Sequence, residues 1–497
     1  MSLFSVEFIL FLVIAAGIYK IWPRKYAYIG LAVVSAVFYL SAGINGGVVA
    51  FAIVVLTYLC GFVLYKTHSK WLLGVLIGAT LSPLVFLKYG NFILETVGNK
   101  TFRIDFIVPL GLSFFSLQAI SYLVDIYKGK IEPEKSFLRY FQFMLCFAYV
   151  TSGPIERADR ILPQLKEKNC TYENICLGSQ LFLWGLFQKL VIAQRLQIVA
   201  DTVFDNYTYY SGYEMLLGTI AYSLQIYSDF AGYSNMAMGL AQIFGIRIIQ
   251  NFEQPYFSRS IAEFWRRWHI SLSSWLRDYI YIPLGGNRKG KLRKYVNVLV
   301  VFLISGIWHG ASWTFVLWGI LHGIYQVIGA LTQNVKKNMC NILRINRESR
   351  GYKILQMGIN FLLVNFGWVL FRAQSVKQAF EMYKRIFFGM NLANSFGLKK
   401  VAEWPWRSVI GLNLVTSDDK LYYSLGLDMS NIHILMLAIM IAVAVDILHY
   451  KGIKIREVIA KEDLWFRWII YIVMIFVVIT FGIYGSYDAS SFIYANF

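Results

Sequence analysis

The sequence predicts an all-α polytopic membrane protein on three observations. Of 497 residues, 57% are hydrophobic and 15% charged, where a soluble domain carries about a quarter charged residues. Apolar runs of roughly 20 residues, enough helix to cross a hydrocarbon core of ~30 Å, recur from one end of the chain to the other. Lys and Arg gather in alternate connections between those runs, the asymmetry expected of cytoplasmic loops. Helix follows because a segment in lipid must satisfy its own backbone N–H and C=O groups.

In chain order, spans are expected near 3–19, 26–43, 48–65, 71–88, 107–125, 136–150, 178–195, 215–245, 295–332, 353–371, 432–448 and 466–484. The first has no basic stretch ahead of it and no small-residue cleavage site, and Lys20, Arg24 and Lys25 follow it, so it reads as a retained span, not a signal peptide. The basic clusters at 20–25, 66–70, 128–139, 247–294 and 335–353 place the N-terminus outside a cell membrane. A formal net charge of +19 flanks apolar spans instead of forming a soluble module, which points to anionic lipid headgroups and not to nucleic acid. Cys60, Cys146, Cys170, Cys176 and Cys340 show no CxxC pair and no metal-ligand spacing, so neither a disulfide framework nor a metal site is expected. No linker or fixed-period repeat divides the chain, and a single membrane domain over 1–497 is expected, with long non-spanning stretches at 247–294, 335–352 and 385–430.

Within 259–281, Ile261, Phe264, Trp265, Trp268, Leu272, Trp275, Leu276 and Tyr279 recur at helical spacing and predict one helix with an apolar stripe. Glu263, Arg266, Arg267, Ser274, Arg277 and Asp278 fall opposite, the pattern of a helix lying in the interface. His269 sits at the margin of the stripe, able to face protein or headgroups. Turn residues Pro283-Leu284-Gly285-Gly286-Asn287 follow, then a basic run of Arg288, Lys289, Lys291, Arg293 and Lys294.

The candidate chemistry lies in few residues. His309 stands in an apolar helix at 296–317, within Ser305-Gly306-Ile307-Trp308-His309-Gly310, and an ionisable group at membrane depth marks a functional site by default. Two readings fit. One is a neutral imidazole hydrogen-bonded to a neighbouring helix, with Gly306 and Gly310 as a small-residue packing face. The other is a general base, since an imidazole with an ordinary pKa of ~6.5 can take a proton from a hydroxyl and return it to a leaving thiol. His322, 13 residues on, reads as a structural or helix-end histidine. The 215–245 span is unusually polar, with Tyr222, Ser223, Gln225, Tyr227, Ser228, Asp229, Tyr233, Ser234 and Asn235 either bonding between helices or walling a substrate cavity. Phosphate-binding, dinucleotide, serine-hydrolase and zinc-protease motifs are all missing, which leaves a histidine-only mechanism.

Three ordered blocks, Ser228-Asp229-Phe230-Ala231-Gly232-Tyr233-Ser234, Phe264-Trp265-Arg266-Arg267-Trp268-His269-Ile270-Ser271-Leu272-Ser273 and Trp308-His309-Gly310, resemble the signature of the membrane-bound O-acyltransferase family. Pro109-Leu110-Gly111-Leu112-Ser113-Phe114-Phe115, Tyr122-Leu123-Val124-Asp125-Ile126-Tyr127, Ser152-Gly153-Pro154-Ile155 and Asn251-Phe252 extend the likeness over about 105–325. It implies a ring of about 11 or more spanning helices around a central tunnel, with re-entrant and interfacial helices and extra C-terminal helices at about 353–497. It also implies His309 as the catalytic residue and His269 as the second functional histidine, with Asp229, Tyr233, Ser234, Asn251, Arg266, Arg267 and Trp308 as candidate tunnel or substrate residues.

The implied co-substrate is an acyl thioester, acetyl-CoA or an acyl carrier protein, arriving from the cytoplasm, with no bound cofactor. The implied acceptor is an extracytoplasmic polysaccharide, reached directly or through an SGNH-type relay acyltransferase. Residues 366–373, Phe-Gly-Trp-Val-Leu-Phe-Arg-Ala, resemble the bacterial polysaccharide-acetylating branch that contains alginate O-acetylase; D-alanyl transfer to teichoic acids is the alternative. Arg266, Arg267 and the 288–294 run could steer a phosphopantetheine or acidic carrier, or simply anchor to headgroups. A proton-coupled transporter or flippase, with His309 and Asp229 as relay groups, lacks the paired inverted repeats such folds carry. A non-catalytic scaffold and a homo-oligomer remain open.

Overall fold

The computed structural model describes residues 4–98, 108–151, 153–390 and 425–484, and every regular element among them is helical. The expected connection at 385–430 lies largely outside the described residues, as do Ser152 and the first residues of the spans expected at 3–19 and 107–125. The chain opens with α1 (Val6–Ile21), α2 (Ala27–Ser41), α3 (Ile44–Thr67) and α4 (Lys70–Thr96), the last interrupted by a π turn at Val85–Tyr89. There follow α5 (Leu112–Tyr127), α6 (Phe137–Leu145), α7 (Ala158–Gln164), α8 (Tyr172–Asp205, with a π turn at Phe187–Ala193) and α9 (Gly212–Ile243). The site region is α10 (Ile261–Arg267), α11 (Ile270–Leu276), α12 (Gly290–His309) and α13 (Trp313–Leu331). The chain continues through α14 (Gln333–Ile342), α15 (Arg350–Arg372), α16 (Val376–Phe388), α17 (Met429–Tyr450), α18 (Ile455–Ile459) and α19 (Leu464–Phe481).

Helix starts are written locally. Ser69, Thr171, Ser349 and Ser375 each accept a hydrogen bond from the N–H three residues ahead, a cap that contributes about 1 kcal/mol. Among the described residues α3, α4, α8, α13, α15, α17 and α19 are long and apolar enough to cross a bilayer. Their outward faces leave no doubt about the solvent: Met436, Leu437 and Met440 on α17 and Ile472, Phe476 and Ile479 on α19 are exposed, a surface that water would not tolerate.

Helix α9 is the central post. It packs along α8 through glycines, and a Cβ on Gly185 would lie 2.5 Å from the carbonyl oxygen of Gly232. Small residues let two backbones touch where lipid supplies no hydrophobic drive for association. Cross-links define the two ends of the bundle. At one, Lys168 donates to the carbonyls of Lys20 and Trp22 (2.8 and 2.7 Å), and Arg456 donates to Leu177 O and Gln242 Oε1 (3.0 and 3.2 Å). At the other, Arg372 pairs with Asp201 at 2.6 Å and Arg385 donates to Tyr210 O at 2.9 Å. The first is the basic end.

Three expected helices change form. At 136–150 the helix α6 runs only nine residues, and residues 146–150 leave it as a buried non-helical segment with Phe147 packed among Phe11, Phe38 and Phe244. Lys130 bridges Asp125 and Asp159 (3.4 and 2.7 Å), so the chain leaves where it entered and does not cross. The expected 295–332 span is two antiparallel helices, α12 and α13, turned at Gly310-Ala311-Ser312. The expected single helix over 259–281 breaks between α10 and α11, because His269 takes left-handed backbone angles (φ 44°, ψ 54°).

Gly185→Ala is expected to destabilise the bundle by about 1–3 kcal/mol, the range for overfilling a tight contact. Thermal unfolding in detergent reads this directly, and an unchanged midpoint would show that α8 and α9 have slack.

Candidate active site

The hairpin of α12 and α13 delivers the first histidine. Gly306 and Gly319 face each other so closely that a methyl group on either would collide with a carbonyl oxygen of the other helix, Phe315 O or Phe302 O. Gly310 rests on the Phe315 ring, so both glycines of the expected packing face serve this hairpin. His309 is the last residue of α12 and stands at the tip, not mid-helix as the sequence suggested.

The α10–α11 break delivers the second. Trp268 ends α10 and stacks on Phe264 (5.3 Å), beside Phe252 and Trp368 (both 5.0 Å). The reversal at His269 then turns its ring inward, away from the headgroup alternative. A left-handed non-glycine residue costs on the order of 1–3 kcal/mol and persists only where its surroundings fix it. Asn251 supplies that: its carbonyl accepts from Ile270 N (3.0 Å), its Oδ1 from Ser271 N (3.2 Å), and its Nδ2 donates to Ser234 Oγ (3.1 Å). Asn251 thus caps α11 from outside and ties it to α9.

The two imidazoles meet in the interior, ring centroids 6.4 Å apart, with His309 2% and His269 0% exposed. Aromatic rings enclose them. Phe230 meets His269 edge-on at 4.7 Å, and Trp318 and Phe371 meet His309 at 5.0 and 5.2 Å. Trp308 lies against both histidines and against Phe114 (5.5 Å). Such walls exclude water, and charge developing between the rings is felt more strongly than it would be in bulk solvent.

Two adjoining cavities approach this pair from the basic end. The outer one, of about 900 Å³, is lined by Arg259, Arg266, Lys294, Lys336 and Arg347 among other residues, with no Asp or Glu. The inner one, of about 310 Å³, shares Ala262, Arg266, Val298 and Gln326 with it and climbs α12 through Val301 and Phe302 to Ser305, one turn below His309.

The structure therefore gathers His309, His269 and Trp308, sets Asn251 and Ser234 behind His269, and places Arg266 where the cavities join. Asp229 and Tyr233 belong elsewhere. Asp229 is ion-paired with Lys189, both buried, and the Lys189 ammonium lies 5.2 Å from the Tyr233 ring. Arg267 pairs with Glu263 (2.9 Å) and lies over Tyr450 on the basic side. His322 sits apart from the pair: its Nδ1 accepts from Trp265 Nε1 at 3.2 Å, and Trp318 packs against both it and His309. Sequence reasoning missed Lys88, Tyr89 and Ser113, which gather around the end of α12, and Lys189. The available signal for both lysines was a cation inside an apolar run.

A sequence profile of the membrane-bound O-acyltransferase family matches residues 133–341. A probable alginate O-acetylase of Pseudomonas syringae pv. tomato is 34% identical over 427 residues, covering 83% of this chain and 78% of the relative. A peptidoglycan O-acetyltransferase of Helicobacter pylori is 36% identical over 386 residues (70% and 71%). A teichoic acid D-alanyltransferase of Bacillus subtilis is 25% identical over 324 residues (63% and 80%). The protein is a multi-pass membrane enzyme that transfers acyl groups to oxygen. It belongs to the membrane-bound O-acyltransferase family.

Asn251→Ala removes two side-chain hydrogen bonds and leaves Ser271 N–H and Ser234 Oγ buried, a loss of about 1–3 kcal/mol for each unsatisfied group. The expected result is a lower unfolding midpoint together with loss of acyl transfer; a variant with wild-type stability would show that the His269 turn is held by other contacts.

Proposed function

We propose that the protein transfers an acyl group, acetyl first among the candidates, from a cytoplasmic thioester donor to hydroxyls of an extracytoplasmic polysaccharide in a bacterial envelope. The observation that carries this reading is the position of His309: at the hairpin tip, one helical turn beyond Ser305, where a cavity path that begins among cations at the basic end stops. By the positive-inside rule that end is cytoplasmic and the N-terminus lies outside. The names of the relatives, acetylases of alginate and peptidoglycan, support both the acetyl group and a polymeric acceptor.

In this mechanism the donor's anionic head rests among Arg259, Arg266, Lys294, Lys336 and Arg347, and its thioester end reaches the histidines. His309 takes the proton of the acceptor hydroxyl as that oxygen attacks the thioester carbonyl, and the new C–O bond forms. Collapse of the tetrahedral intermediate breaks the C–S bond, and the imidazolium returns its proton to the sulfur, leaving a free thiol. His269 faces the reacting groups from across the pair and orients the donor. The acceptor is the polysaccharide itself or a relay acyltransferase outside the membrane.

His309→Ala is expected to lower transfer by at least ~10²-fold, the contribution of a general acid–base, with folded protein retained. Alkali-released acyl groups from envelope and secreted polysaccharide, identified by mass spectrometry in a host lacking the native gene, provide the test. Acetate seen only with wild type supports the proposal; D-alanine would reassign the acyl group, and ester output independent of His309 would favour a transporter or scaffold. Neutralising Arg266, Lys294 and Lys336 together is expected to raise the donor KM about tenfold at low salt, with the difference narrowing as salt screens the charges. An unchanged KM at low salt would remove the cation-lined cavity from the donor path.

A further inference from the structure

Every α-helix ends with carbonyl groups that have no intrahelical donor. The common remedy, a left-handed glycine just past the end, is available to α12 in Gly310 and is not used: Gly310 is extended (φ −170°, ψ 159°). Side chains of α4 fill the need instead. Lys88 Nζ donates to Trp308 O (3.0 Å) and His309 O (3.3 Å), and Tyr89 Oη donates to Ile307 O (2.8 Å) with Trp308 O at 3.1 Å. Both residues lie in the π turn at Val85–Tyr89.

A cation within a spanning helix costs about 2.5–3.5 kcal/mol at the bilayer centre, so an expensive cap stands where a glycine would have served. The ammonium meets the negative end of the α12 dipole, and its third partner is Ser113 Oγ at 3.3 Å. An ammonium has three donors, and these three acceptors match them, so Lys88 acts on the protein and not on substrate. Trp308 Nε1 donates to Ser113 O at 3.3 Å, which fastens the same tip to α5.

We infer that Lys88, assisted by Tyr89, is a positioning residue for acyl transfer: it fixes the backbone of Trp308 and His309 so that the His309 ring keeps its place against His269. This rests on the reading of His309 as the general base. A base displaced by a fraction of an ångström loses rate while the distant donor head still binds.

The test uses purified full-length protein in nanodiscs and whichever of acetyl-CoA or acetylated carrier protein sustains wild-type turnover. Lys88→Met is expected to lower kcat at least about tenfold, the effect of losing one or two charge-assisted hydrogen bonds, with the donor KM within about twofold of wild type. Lys88→Arg should recover most of the turnover, and Tyr89→Phe, a mild change, should lower kcat several-fold at unchanged KM. Should Lys88→Met fail to fold, Lys88→Arg and Tyr89→Phe decide the matter. Full turnover in Lys88→Met or Tyr89→Phe, or an equal loss of kcat and donor binding, overturns the inference. His309→Ala, run in parallel, separates the two failures: activity in that variant would sink the assignment of the base itself.

Discussion

The approach of Gly306 to Gly319 is so close that neither position has room for a methyl group, and the geometry of the interior depends on it. Because the two helices of the hairpin touch backbone to backbone, α12 ends inside the protein and its last residue is presented at a tip. From that tip Trp308 reaches Phe114 on α5, while Trp318 on the returning helix packs against His309. A wider hairpin would separate Trp318 from His309 and open the histidine pair to water.

The sequence revealed the solvent and the helical class, and it singled out the two histidines that the fold brings together, because each reading rests on composition or on an ordered motif. It did not reveal where helices break. The reversal at His269 has no glycine or proline to announce it; Asn251, from a segment 18 residues earlier, holds it open. At 295–332 the glycines were visible, but Gly310 was read as a packing surface when it also begins the turn. The 136–150 span failed for a different reason: its apolar residues satisfy a membrane and a protein core equally well, and here they face Phe11, Phe38 and Phe244.

The polar residues of α9 show how one helix serves two tasks. Phe230 and Ser234 lie on the face toward His269, one as wall and the other as support for Asn251. Asp229 and Tyr233, about 100° around the helix, meet Lys189 on α8 instead. A buried pair of this kind is destabilising if only one partner is removed, so it ties α8 to α9 electrostatically where their glycines already tie them sterically. The acidic residue that looked most suspect in sequence is thus ion-paired with Lys189 on α8.

The two cavities run along α12 from Lys294 toward His309, and that stretch of helix is about 22 Å long at ~1.5 Å per residue. On the proposed reading the protein is a ruler. An anionic head held among the cations at one mark can present its far end to the imidazole only if the link between them is slender and about as long as the helix itself. A shorter thioester would stop short of the imidazole, and a longer one would have to fold to bring its carbonyl level with it. Selection among cellular thioesters would then be set by the length of the handle as much as by the group it carries.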